Sequence, residues 1–304
     1  MIEFRNIPRA AAMLACTLSL SALCGVAAAG NDTVDRKVAA DPNGEVVISN
    51  VSGTIEVRGW DRNEVQVTGT LGSGVERVDV DSSGGRTVVK VVLPSRSSHD
   101  GSADIEVQVP KNSSLDVSAV SADVSSKGVL GTQRLKSVSG EITTDISGND
   151  SDVRSVSGDV TVHGVGKPNS LRVSSVSGSL DVSNIGGKIE VVTVSGDARV
   201  QASETSEIRG RTTSGNLQLQ GRLTRDARVD VEGVSGDLTL RLSAPGGINA
   251  DIESFSGDIE GCLAKGVENV SKYGPGTRLS LRTVESGPRI RAKTLSGDIE
   301  ICDK

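Results

Sequence analysis

The sequence predicts an all-β protein: a β-solenoid of about 19-residue two-strand repeats behind an N-terminal β cap. Three observations predict it. The dipeptide Ser-Gly recurs at near-constant spacing, a hydrophobic period of two flanks each copy, and only Phe4, Trp60, Phe255 and Tyr273 are aromatic among 304 residues. A coil interior one repeat wide has little room for a ring at every level, so its core should be small aliphatics.

In chain order, residues 1–29 read as a secretory signal peptide. Arg5 and Arg9 supply the positive start, Ala10 to Val26 the apolar run, and Ala27, Ala28 and Ala29 the small-residue cleavage site. The run is also long enough for an uncleaved anchor, and Cys24 stands near a lipid-attachment position, although Leu23 departs from that pattern. Cleavage would leave 31 basic against 38 acidic side chains, a surface that repels nucleic acid and anionic lipid. The missing aromatics argue equally against base-stacking platforms.

Residues 30–110 form the predicted cap region. Alternating runs occur at Glu45 to Ser49, Thr54 to Arg58, Glu64 to Thr70, Val75 to Asp81, Thr87 to Leu93 and Ala103 to Val109. Asp81-Ser82-Ser83-Gly84-Gly85 is a hairpin signal between two of them. Ser52-Gly53 stands apart as an isolated early copy of the repeated dipeptide.

Residues 111–304 carry the repeat. Its turns are Ser139-Gly140, Ser157-Gly158, Ser177-Gly178, Ser195-Gly196, Ser214-Gly215, Ser235-Gly236, Ser256-Gly257 and Ser296-Gly297, with Ser121-Ala122 as a degenerate first copy. Intervals from Ser121 to Ser256 are 18, 18, 20, 18, 19, 21 and 21 residues. After each Gly the apolar residues fall at the second and fourth positions, as in Val160/Val162 and Leu238/Leu240, which is a half-buried strand. A second apolar run precedes each Ser, as in Leu171, Val173 and Val176, or Val229, Val231 and Val234. Such units cannot close a core alone, but stacked units bury continuous columns. In a solenoid Val160 lies beside Leu180; in an antiparallel meander with hairpins at Ser-Gly, Val160 pairs with residues near Val156. Regular spacing favours the solenoid.

Asn50-Val-Ser-Gly-Thr-Ile-Glu-Val-Arg-Gly-Trp60-Asp-Arg, Val109-Pro-Lys-Asn-Ser-Ser-Leu-Asp-Val117 and the reiterated Val-Ser-Gly-Asp resemble the bacterial putative adhesin family, a β-strand-repeat domain of unknown function. The resemblance covers nearly all of the chain after residue 29. It implies an exported cell-surface or periplasmic protein without known catalytic residues, and some relatives suggest a sensing or regulatory role in envelope stress.

Three constellations could carry chemistry. Glu141, Asp159, Asp197, Asp237, Asp258 and Asp298 follow repeat glycines, so stacked carboxylates could hold Ca²⁺ or act as the acid pair of a glycoside hydrolase. Ser179 and Asn216 interrupt that ladder, and an Asp after Ser-Gly is expected to accept turn N–H groups. His99 and His163 are too few and too scattered for a zinc site, and no Gly-x-Ser-x-Gly elbow supports a triad. Cys262 and Cys302 both lie five residues after a repeat glycine, hence in one outward column. They are predicted to form a disulfide if residues 263–295 loop out, with Thr277 to Val284 and Pro288 to Leu295 as a hairpin. The expected function is therefore a non-enzymatic envelope module that contacts a protein or polysaccharide, with no cofactor and no nucleic-acid partner. A polysaccharide-active β-helix enzyme is the alternative.

Overall fold

The structure, a computed structural model, describes residues 32–94, 101–270 and 275–303. The signal-peptide reading of residues 1–29, His99 and Tyr273 fall outside the described residues. Among the described residues there are 22 strands and no helix, all linked by hydrogen bonds into one sheet system.

Each repeat is a rung of two strands that meet at Ser-Gly, and successive rungs pair in parallel. On one face Gln133–Ser137 pairs with Ser151–Ser155, that with Pro168–Ser175, and that with the second half of Leu180–Ser195. On the other face Val160–His163 lies between Ile142–Asp145 and the first half of Leu180–Ser195, with Val160 opposite both Ile142 and Leu180. This register is incompatible with hairpins at Ser-Gly. Because the strand period is two, Ile142, Val160, Leu180, Ala198, Leu217 and Leu238 form one fully buried column. Such columns join into a continuous aliphatic core from Val34 to Ile301.

The strand Glu45–Trp60 pairs along most of its length with Ser114–Lys127, so Ser52-Gly53 lies directly against Ser121-Ala122 and is itself a rung. Beyond it, one face continues in parallel with Ser102–Pro110 and then ends in Glu64–Leu71 and Asp32–Ala39, each antiparallel to the strand before it. The other ends in Arg86–Val92 and Arg77–Ser83, joined through Gly84 and Gly85 at φ 59° and 78°, the left-handed pair that a two-residue hairpin turn needs.

The C-terminal rungs are not stacked in chain order. Arg289–Ser296 pairs in parallel with Leu217–Ser235 on one side and Asn249–Ser256 on the other, so the last rung lies between the two that precede it. The predicted hairpin is therefore corrected: Thr277–Arg282 pairs antiparallel with Asn249–Ser256, which separates it from Arg289–Ser296. Outward charges explain the order. A single column reads Asp116, Arg134, Asp152, Arg172, Glu190, Arg209, Asp230, Arg291, Asp251, with the sign alternating at every rung. Stacking in chain order would set Asp230 against Asp251, and like charges directly opposite are destabilising. In the neighbouring column Glu253 is paired with Lys293 at 2.6 Å and with Arg278. The hydrogen bond from Lys293, above all, holds the Glu253 carboxyl below the usual carboxylate range.

Two predictions follow from this order. Arg291→Glu should cost about 1 kcal/mol in urea unfolding at low salt, and Asp230→Lys with Asp251→Lys should restore stability in that background. Glu253, whose folded pKa is depressed, contributes stability above its unfolded pKa that is lost as pH falls through the folded value. The Glu253→Gln variant should therefore show a shallower loss of thermal midpoint than the parent below about pH 4.5.

Candidate functional site

The repeated corner is where the sequence concentrates its unusual residues. At Ser157-Gly158 the chain passes so close to the rung before it that a Cβ on Gly158 would lie 2.0 Å from the Gly140 carbonyl oxygen. That contact, rather than a hairpin conformation, requires glycine here. Gly215 meets the Gly196 carbonyl in the same way and also has φ 145°, which disfavours any side chain.

Sequence reasoning missed the residue two places before each repeat serine. It assigned Val176, Val194 and Val234 to the interior, but these are 43–46% exposed. The inward positions are instead Ser137, Ser155, Ser175, Thr193, Thr212, Ser254 and Thr294, all buried. Their hydroxyls satisfy corner backbone groups that the stacking removes from water. Ser137, Ser155 and Ser175 accept the N–H of Gly140, Gly158 and Gly178 at 2.9 Å. At later corners the pattern reverses: Thr193 and Thr212 donate to the carbonyls of Gly196 and Gly215, whose N–H groups bond Ser214 and Ser235 of the next rung. The signal was present as Ser/Thr-x-Ser-Gly, but the apolar residue at x drew the alternation one position out of phase.

The acidic ladder is tied into the same framework. The Asp123 carboxylate accepts the Glu141 N–H at 2.9 Å, Asp159 that of Ser179 at 2.8 Å, and Asp197 that of Asn216 at 2.9 Å. The Asn216 amide oxygen accepts from Asp237, Asp237 from Asp298, and Asp298 from Asp258. Each acceptor thus holds the equivalent residue one rung away, not its own turn. Among the described residues no three His, Cys, Asp or Glu side chains converge as a metal cluster.

His163 is exposed, in register with Asp145 and Ser183, and its Nδ1 lies 2.7 Å from the Ser183 hydroxyl. Trp60 donates its indole N–H to the Glu64 carbonyl at 2.9 Å, and the Arg62 guanidinium lies 4.9 Å from its ring centroid. It packs at a strand junction rather than in an open recess. The expected disulfide is not formed in this structure. Cys262 and Cys302 stand in neighbouring rungs, as the looped-out geometry requires, but both are free thiols. Each sulfur has a polar partner: the Cys302 Sγ accepts the Cys262 N–H at 3.0 Å, and the Cys262 thiol donates to Asp303 at 3.5 Å. The Cys262 thiol is raised above its ordinary pKa, chiefly by its hydrogen bond with Cys302.

These observations define a class, an all-β protein of parallel-paired short repeats whose corners are tied together by side-chain hydrogen bonds to the backbone. The chain belongs to the Toastrack DUF4097 family, which it matches over residues 43–302. It is similar to the solved structure of a putative adhesin from Parabacteroides merdae, at 9% identity and TM-score 0.49, covering 89% of this chain and 96% of that one. A putative adhesin from Bacteroides fragilis is 11% identical with TM-score 0.43, covering 90% and 98%. A putative lipid binding protein from Parabacteroides distasonis is 12% identical with TM-score 0.41, covering 90% and 98%. No curated protein matches the chain.

The two serines of one motif should behave differently. Ser155→Ala, which strands the Gly158 N–H, should lower unfolding free energy by about 1–3 kcal/mol, while exposed Ser157→Ala stays within about 0.5 kcal/mol. Asp159→Asn should be tolerated, since Asn216 already plays that part, whereas Asp159→Ala should lower the melting temperature measurably.

Proposed function

We propose that this chain is a non-catalytic component of a bacterial cell envelope, exported behind residues 1–29. In this reading residues 111–304 form a β-solenoid capped by residues 30–110, whose long polar faces contact an envelope protein or polysaccharide or hold such partners apart. It needs no small-molecule cofactor and no nucleic acid. The observation that carries the reading is the engagement of the acidic ladder: the carboxylates a glycoside hydrolase would need accept backbone N–H groups of neighbouring rungs. The surface supports it too. A shallow depression of about 280 Å³ is lined by Arg172 and Glu190, ion-paired at 2.6 Å, and by Glu207 and Arg209, also paired at 2.6 Å. Family membership and the adhesin names of similar structures agree with an adhesin-like module.

The neighbouring thiols fit an exported protein. In an oxidising compartment Cys262 and Cys302 would pass two electrons and two protons to a disulfide donor and close into a bridge that fastens the intercalated rung. Thiol titration of unreduced protein from the envelope fraction should then find none; two reactive thiols would refute the bridge. For the function itself, the isolated protein is screened against cell-wall glycans with product analysis. Binding without turnover is the expected outcome. Turnover abolished by Asp159→Asn or Asp237→Asn would establish the enzyme alternative instead.

A further inference from the structure

The residue immediately before each corner serine faces solvent in every rung. In stacking order these are Val51, Val120, Val138, Val156, Val176, Val194, Thr213, Val234, Leu295 and Phe255. The apolar members run from 39% exposed at Val51 to 57% at Phe255. The Ser or Thr beside them fills the inward slot at most corners, so these side chains have no place in their own core. One position per rung makes a nearly unbroken apolar ridge about 43 Å long at ~4.8 Å per rung. Singly scattered exposed valines are ordinary; an aligned series of this length marks a contact surface.

The spacing and the flanking charge both point to one occupant. A partner that covers the whole ridge must present apolar groups at the same ~4.8 Å interval. An α-helix, at ~5.4 Å per turn, falls out of step within about four rungs. A second copy of this chain keeps step at every rung, including the break at Thr213. Three residues after each ridge position runs the acidic ladder, with Glu141, Asp159 and Asp298; two residues before it lie Lys136, Arg154, Arg211 and Lys293. A two-fold axis along the stack brings the Lys136 side of one copy to the Glu141 side of the other; Arg154 and Lys293, which face Asp159 and Asp298 there, also pair within their own copy with Asp152 and Glu253. An antiparallel arrangement would instead oppose acidic ladder to acidic ladder. In the parallel arrangement Glu232 and Glu253 fall opposite Asp237 and Asp258, and their charge is offset within the copy by Arg211 and by Lys293 and Arg278.

We propose that two copies of this chain associate side by side and in parallel along this valine ridge. Sedimentation of the isolated protein across micromolar concentrations should show a reversible dimer that weakens with added salt. Val156→Asp with Val176→Asp should make it monomeric while its melting temperature stays within a few degrees. Direction is read by crosslinking single-cysteine variants in a Cys262→Ser, Cys302→Ser background. In a parallel pair both Val138→Cys and Val234→Cys link to themselves. A wild-type monomer at every concentration, a dimer unaffected by the two aspartates, or crosslinks that form only between the two different cysteine variants would each overturn the proposal.

Discussion

Everything in this molecule depends on how closely one corner can approach the next. Parallel rungs in register bring the repeat glycines from Gly140 onward so close to the next corner that an added Cβ would lie 1.9–2.4 Å from its carbonyl oxygen. The parallel hydrogen-bonded ladder sets the rung spacing, glycine is the residue that tolerates it at the corner, and the spacing decides which side chains meet. It aligns aliphatic groups into buried columns, and it places each aspartate within hydrogen-bonding distance of the backbone N–H one rung away. It also leaves corner N–H and C=O groups with no access to water, which is why a hydroxyl lies inside the motif. The glycine, the hydroxyl and the carboxylate answer one geometric demand from three sides.

Uniform backbone contacts cannot tell one rung from another, since every rung offers the same ladder. Discrimination falls to the outward side chains. A column alternating from Asp116 to Asp251 makes every correct neighbour attractive and many wrong neighbours repulsive. Each exposed pair contributes well under 1 kcal/mol, so the column adds little stability. It still separates correct from wrong stacking, because leaving out one rung brings two like charges together at that interface, as Asp230 and Asp251 would meet without Arg291.

Much of this was legible in the sequence. The interval of 18 to 21 residues and the period of two identified the strands, and aligning on glycine placed Val160 beside Leu180. The aspartates were read as binding turn N–H groups; their acceptor role was right in kind, but they bond across rungs, a distance that no single repeat displays. The inward serines were hidden because an apolar residue, Val138, Val156, Val176 or Phe255, stands beside each one, and hydrophobicity alone cannot tell which of two adjacent positions faces the core. The C-terminal order was hidden for a different reason. Arg291 between Asp230 and Asp251 is a pairing between distant segments, and the local turn signal at Glu285-Ser286-Gly287 suggested a hairpin that tertiary pairing overrides.

The intercalated last rung gives the chain a direction in time. A ribosome delivers Asn249–Ser256 before Arg289–Ser296, yet the later strand must lie between the earlier one and Leu217–Ser235. Assembly cannot simply follow synthesis rung by rung at this end. Until Arg289–Ser296 arrives, Asn249–Ser256 has no parallel partner, and two sheet edges stay open. One late strand thus closes two edges at once, since Arg289–Ser296 supplies the parallel partner of both Leu217–Ser235 and Asn249–Ser256.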